Sequence, residues 1–236
     1  MPIFHPRPHV QAVPIDAQHD CLVVDGALLD PDAWVAAAAA QRAQFVAAPT
    51  NAYPGIEAPL GPNFSGELDD FFRVHVRGRL GARRTLSMRC RMSMVTLAPG
   101  ALMPRQWICH RDSQWIAPGQ CLGASVLYLF RDERLGGTSF YRPRRDEAAT
   151  ERLSEDAGDL DGAAFTQRHG VPAGYMLDSN DWFERLLTVP PRYNRMIFYD
   201  GGLYHTGQIP HPELLTDDPA TGRLTINGFF TCTRKA

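Results

Sequence analysis

A succession of short apolar runs between residues 88 and 233, each bounded by Gly, Pro or Asp, restricts what this chain can fold into more than any other feature. "MRCRMSMVTLAP" alternates Met88, Cys90, Met92 and Met94 against Arg89, Arg91 and Ser93, the two-residue period of a strand with one apolar face. "CLGASVLYLF", "GGTSFYR", "NRMIFYD", "GLYHTGQI" and "GRLTINGFFTCT" follow, each short and rich in β-branched or aromatic residues. With few helices between them, such strands predict a mainly β fold with supporting helices, closed as a sandwich or barrel.

Residues 1–87 read differently. In "DPDAWVAAAAAQRAQF", Asp30 is placed to cap a helix, Pro31 takes its first position and alanines supply the propensity behind them. "SGELDDFFRVHVRGRLG" carries early acids and late arginines that suit the dipole of a second helix. This part is therefore read as an N-terminal helical support for a β core over 88–233, within a single domain of 1–236. The polar stretch 144–192 is read as an insertion with one helix, "DSNDWFERLLTV", and is expected to form a lid or a homodimer contact rather than core.

Charge and cysteine content exclude several classes. A formal net charge of -2 supplies no field to draw nucleic acid or an anionic membrane, so neither partner is expected. The five cysteines are odd in number and scattered, as fits reduced thiols in a cytoplasm. The start "MPIFHPRPHVQAVPID" has prolines where a signal peptide needs an apolar run, and "AWVAAAAA" is far too short to span a bilayer. A cytoplasmic protein is expected. Neither a P-loop nor a GxSxG elbow nor a GxGxxG fingerprint is present.

The candidate chemistry lies in "WICHRDSQW". Side chains two apart on a strand share a face, so His110 and Asp112 can converge on one metal while Arg111 faces away. The pair alone is unspecific, because on the order of one such HxD arises by chance in a chain of this composition. An open-faced mid-row metal such as Fe(II) takes two histidines and one carboxylate. His205, after the Gly201-Gly202 break, has the best strand context for the third ligand. Arg223 opens the apolar strand "RLTINGFF", where a permanently charged guanidinium needs an acidic partner. No nearby acid supplies one. A small diacid chelating the metal at one end and reaching Arg223 at the other would.

The order HxD, "VLYLF", "GGTSFY", "NRMIFYD…H", "RLTINGFF" resembles the Fe(II)/2-oxoglutarate dioxygenases, especially the prolyl-4-hydroxylase-like branch, over roughly residues 88–233. The resemblance implies a double-stranded β-helix (a jelly-roll, cupin-like barrel), with His110, Asp112 and His205 as iron ligands and catalytic centre. It implies that Arg223 binds the distal carboxylate of the cosubstrate 2-oxoglutarate, that Tyr128 helps hold it and that Asn227 borders it. Fe(II), 2-oxoglutarate and O2 are thus the expected cofactors. The expected reaction is hydroxylation of a C–H bond in a peptide, amino acid or small metabolite. Two rival readings remain: a cupin-like isomerase or epimerase that uses the triad without 2-oxoglutarate, and a binding module without catalysis.

Other features fall outside this reading. "TGQIPHPELLTDDPATG" separates His205 from Arg223 by more than the family's usual interval and is expected to be an extended turn, with Arg195 and Arg234 as the other candidate anchors. Seven arginines in residues 73–91 are expected on a solvated helix face and strand edge. Trp107 and Trp115 either line a pocket or pack in the core. Alternation points Cys109 away from His110. The loop around Tyr53 is expected at the mouth of the barrel.

Overall fold

Strand alternation sorts the chain into two antiparallel sheets. The computed structural model describes residues 2–47, 52–112 and 116–234. Its strands are β1 (Val10–Pro14), β2 (Asp20–Asp25), β3 (Val46–Ala47), β4 (Gly55–Pro59), β5 (Ala82–Val95), β6 (Gln120–Tyr128), β7 (Thr138–Pro143), β8 (Phe183–Val189), β9 (Arg195–Asp200), β10 (Tyr204–Gly207) and β11 (Leu224–Arg234). The larger sheet runs β1-β2-β9-β6-β11-β5-β4-β3 and the smaller β10-β7-β8. The helices are α1 (Pro31–Ala40), α2 (Pro62–His75), α3 (Glu147–Asp159) and α4 (Gly162–His169).

Each face of the larger sheet has its own cover. Met92 and Met94 of β5 are buried together with Phe64, Leu68, Phe71 and Phe72, one stripe of α2 at helical spacing. Leu224, Ile226 and Phe230 of β11 join them, with Phe72 stacked on Phe230 at 3.9 Å between ring centroids. On the opposite face Ala124, Tyr128, Ile197 and Tyr199 pack against Phe140 of β7 and Val189 of β8. The small sheet thus lies over one face and α1 and α2 over the other, while α3 and α4 pack against the small sheet. Asp30 caps α1 as the sequence implies, accepting from the Ala33 N–H at 3.0 Å.

The first 87 residues are more than helical support. They hold α1 and α2, but also β1 to β4, and β5 begins at Ala82 rather than 88. Strand β2 escapes a search for alternation because both its faces are covered: Leu22 and Val24 enter the helix-side core, Cys21 and Val23 the other. A doubly buried strand reads as an unbroken apolar run, and "CLVV" does.

The stretch 144–192 also differs from expectation. "DSNDWFERLLTV" is not a helix: the Asn180 side chain accepts from the Trp182 and Phe183 N–H groups at 2.9 Å each, an Asx turn that diverts the backbone, and Phe183–Val189 then pairs with β7. The helices of this stretch are α3 and α4, capped by Asp146 and Asp161. Leu153, Ala157, Phe165 and Phe183 are buried with Trp107, Ile108, Cys109 and Tyr204, so the stretch completes a core rather than standing apart as a lid. Leu153→Ala should therefore lower the free energy of unfolding by about 2–5 kcal/mol, read by urea denaturation. A detachable insertion would leave the main transition where it was. Among the described residues no helix is long and apolar enough to cross a membrane.

Candidate metal centre and cavity

The three candidate ligands are brought together by backbone pairing. His110 lies outside any regular strand. It forms a single antiparallel bridge with His205, each N–H donating to the other's carbonyl at 3.0 and 2.9 Å. The Asp112 N–H donates to the Gly201 carbonyl at 2.8 Å, which fixes the second arm. The Gly201-Gly202 turn does not fold a hairpin within one sheet. Instead β9 ends in the large sheet and β10 begins in the small one, so His205 reaches the space between them.

The resulting donor set is close and oriented. Nε2 of His110 lies 3.5 Å from Oδ1 of Asp112, and Nε2 of His205 lies 3.4 Å from Oδ2. One ligand atom from each residue can be chosen so that all lie within 4.8 Å of one another. Nδ1–H of His205 donates to the Leu203 carbonyl at 2.9 Å, which leaves the Nε2 lone pair for the centre. Burial opposes ionisation of Asp112, but the charge and hydrogen bonds of the two histidines outweigh it and hold the carboxyl well below its ordinary range. Burial likewise opposes the charged form of His205, yet Asp112 raises its pKa. Side-chain exposure is 6% for His205, 13% for Asp112 and 54% for His110, so the set is open on the His110 side. Two imidazoles and one carboxylate with an open side fit a metal site for a divalent first-row ion.

The set lies on the wall of a cavity of about 520 Å³ that also includes Arg223. Arg223 is only 4% exposed. Its Nε donates to the carbonyls of Leu135 and Gly136 at 3.0 and 3.2 Å, and Nη2 to that of Gly137 at 2.9 Å. Gly136 has φ +78°, and a Cβ there would stand 1.9 Å from the Gln208 carbonyl, so the Gly136-Gly137 pair is what lets these carbonyls converge. They satisfy hydrogen bonds without cancelling the charge. Among the described residues Arg223 has no carboxylate partner. Arg195 is bound to Asp25 at 2.6 and 3.0 Å, the Arg234 side chain donates to the Gln120 carbonyl, and neither lines the cavity, which removes both as anchors.

Asn227 lines the cavity, and its Oδ1 is buried without a hydrogen-bond partner among the described residues. Tyr128 differs from expectation. It is fully buried and does not line the cavity; its hydroxyl pairs with that of Thr138 at 2.8 Å, and Thr138 takes the place on the wall. Tyr53 lines the cavity, its phenol pushed up to about 12 by burial against the opposing pull of Arg223. Trp107 packs in the core with Nε1–H on the Leu102 carbonyl at 3.1 Å, beside the buried Cys109. Trp115 lies outside the described residues.

Three wall residues were not recognised in the sequence. Arg89 and Arg91 line the cavity together with Arg105, whereas a solvated helix face and strand edge were expected for the first two. The signal was present in β5, whose alternation already set them opposite the methionines. What alternation lacked was the identity of that face.

Fold and site together define a mainly β protein of antiparallel sheets, with a His-Asp-His set that fits a metal site on the wall of an arginine-rich cavity. The chain belongs to the family of unknown function DUF6445, whose profile matches residues 6–230. No curated protein matches it. Among solved structures it is similar to the non-heme alpha ketoglutarate dependent epimerase SnoN from nogalamycin biosynthesis, at 13% identity and TM-score 0.45 over 91% of this chain and 80% of that one. It is similar to EvdO2 from Micromonospora carbonacea var. aurantiaca at 13% identity and TM-score 0.46, covering 95% and 94%. It is also similar to HygX from Streptomyces hygroscopicus, crystallised with nickel and 2-oxoglutarate, at 12% identity and TM-score 0.42, covering 89% and 82%.

Proposed function

We propose that this protein is a cytoplasmic, non-haem Fe(II)- and 2-oxoglutarate-dependent oxygenase of double-stranded β-helix fold, hydroxylating a C–H bond of an amino acid, peptide or small metabolite. The observation that carries this reading is Arg223, a buried guanidinium without an acidic partner among the described residues, on the same cavity as the His-Asp-His set. A buried unpaired charge costs several kcal/mol, so a ligand carboxylate is its natural complement.

In this reading His110, Asp112 and His205 hold iron, Arg223 takes the distal carboxylate of 2-oxoglutarate and Asn227 borders the cosubstrate. Iron with 2-oxoglutarate and O2, when bound, supplies oxidation of an unactivated C–H bond, with succinate and CO2 as coproducts. The chain's own groups prepare the site. The Leu203 carbonyl fixes the His205 tautomer, and the carbonyls of residues 135–137 aim the guanidinium. Tyr128 acts one step back, by orienting the Thr138 hydroxyl on the wall. The exposed side of His110 leaves an approach for substrate.

Anaerobic addition of Fe(II) and 2-oxoglutarate tests the reading directly. A weak visible charge-transfer band that requires both is expected. Metal binding without 2-oxoglutarate binding would move the assignment to a cupin-like isomerase or epimerase.

A further inference from the structure

Strand register orders the cavity into levels. Between β5 and β11 the pairs are Ser93 with Thr225, Arg91 with Asn227 and Arg89 with Phe229. Across the same sheet Phe229 pairs with Ala124 and Ala124 with Tyr199, and the Tyr199 ring packs 4.7 Å from that of His205. Thr225, by contrast, is next in sequence but one to Arg223 and pairs with Tyr128. Arg89 therefore stands level with the metal end of the cavity, about three strand spacings or roughly 14 Å across the sheet from Tyr199. Arg105 comes from the short 3-10 turn Pro104–Gln106 that leads into His110.

The charges at these levels do not cancel. Given the function proposed above, on which this inference rests, the two positive charges of the metal and that of Arg223 balance Asp112 and the two carboxylates of 2-oxoglutarate. Arg91 is balanced by Glu57, whose Oε1 lies 2.5 Å from its Nε. Arg89 and Arg105 remain: both line the cavity, both are exposed, and neither has an acidic partner among the described residues. Two guanidinium forks without an acidic partner, on the same cavity wall as Phe229, whose ring carries the Arg91 guanidinium 5.0 Å from its centroid, form a receptor for an oxyanion on a partly apolar body. We infer that the substrate of this site is an organic anion, and that Arg89 and Arg105 bind its carboxylate or phosphate while Phe229 packs on the apolar part.

The test loads wild type, R89Q, R105Q and the R89Q/R105Q double variant with Mn(II) and 2-oxoglutarate and titrates each calorimetrically with benzoate, phenyl phosphate and neutral benzamide. Wild type should bind one of the anions at least roughly fivefold more tightly than benzamide, the scale of an exposed ion pair. The advantage should shrink in each single variant and vanish in the double one, with Mn(II) and 2-oxoglutarate affinities unchanged. The better of the two anions identifies the headgroup. An equal or weaker response to both anions in wild type, or a preference that survives in the double variant, overturns the inference. Binding of 2-oxoglutarate is measured separately in every protein. Its absence alongside an anion preference that depends on Arg89 and Arg105 would therefore sink the proposed function and leave the anion site standing.

Discussion

Arg223→Ala is expected to keep its divalent metal and to bind 2-oxoglutarate at least roughly tenfold more weakly than wild type, since truncating one side of a buried charge pair commonly costs about 2–5 kcal/mol or more. The effect should be large because the guanidinium is nearly sealed from water and its neighbours among the described residues, three carbonyls and the Phe130 ring, carry no negative charge. Those carbonyls also lose their donor in the variant, so unliganded stability should fall by about 1–3 kcal/mol. Calorimetric titration of the Mn(II)-loaded proteins separates the two effects, as metal binding reports an intact site. Arg223→Lys keeps the charge but not the fork and should recover part of the affinity. Equal binding of 2-oxoglutarate by wild type and Arg223→Ala would show that Arg223 is not the anchor.

His205→Ala should have the larger effect on metal. Losing a coordinating side chain exceeds the loss of an outer partner, itself worth about 10–100-fold in affinity, so a drop of at least roughly 100-fold is expected in competition with a chelator. A thermal readout follows by linkage. Metal at about a hundred times its dissociation constant stabilises the folded protein by about 2.7 kcal/mol. In a chain of this size that is a rise of roughly 5–10 °C in Tm. Wild type should show this rise and His205→Ala should not. Undiminished metal content in the variant would remove His205 from the set.

How much of this was legible beforehand differs from element to element, for physical reasons. Where a segment's environment is one-sided, its pattern records that environment. Thus β5 announced two faces, and Asp30 with Pro31 announced the start of α1. His110, Asp112, His205 and Arg223 could be singled out because a metal set and a buried cation demand particular chemistry whatever the scaffold. Segments that depend on their neighbours were not legible. "FERLLTV" serves equally as helix or strand; the ladder offered by β7 and the Asn180 turn decide for strand. Strand β2 hides its period because it is covered twice.

The sequence by itself determined the strand-rich class, the α1 cap and the residue types of the site, since propensity, capping and ligand chemistry act over a few neighbouring residues. Only the tertiary structure decided that the chain crosses between sheets at Gly201-Gly202, that Thr138 rather than Tyr128 faces the cavity, and that Arg89 and Arg91 point into it. Each of these depends on which surface packs against which across scores of residues, and a local pattern can mark a face as polar without saying whether water or a ligand will meet it.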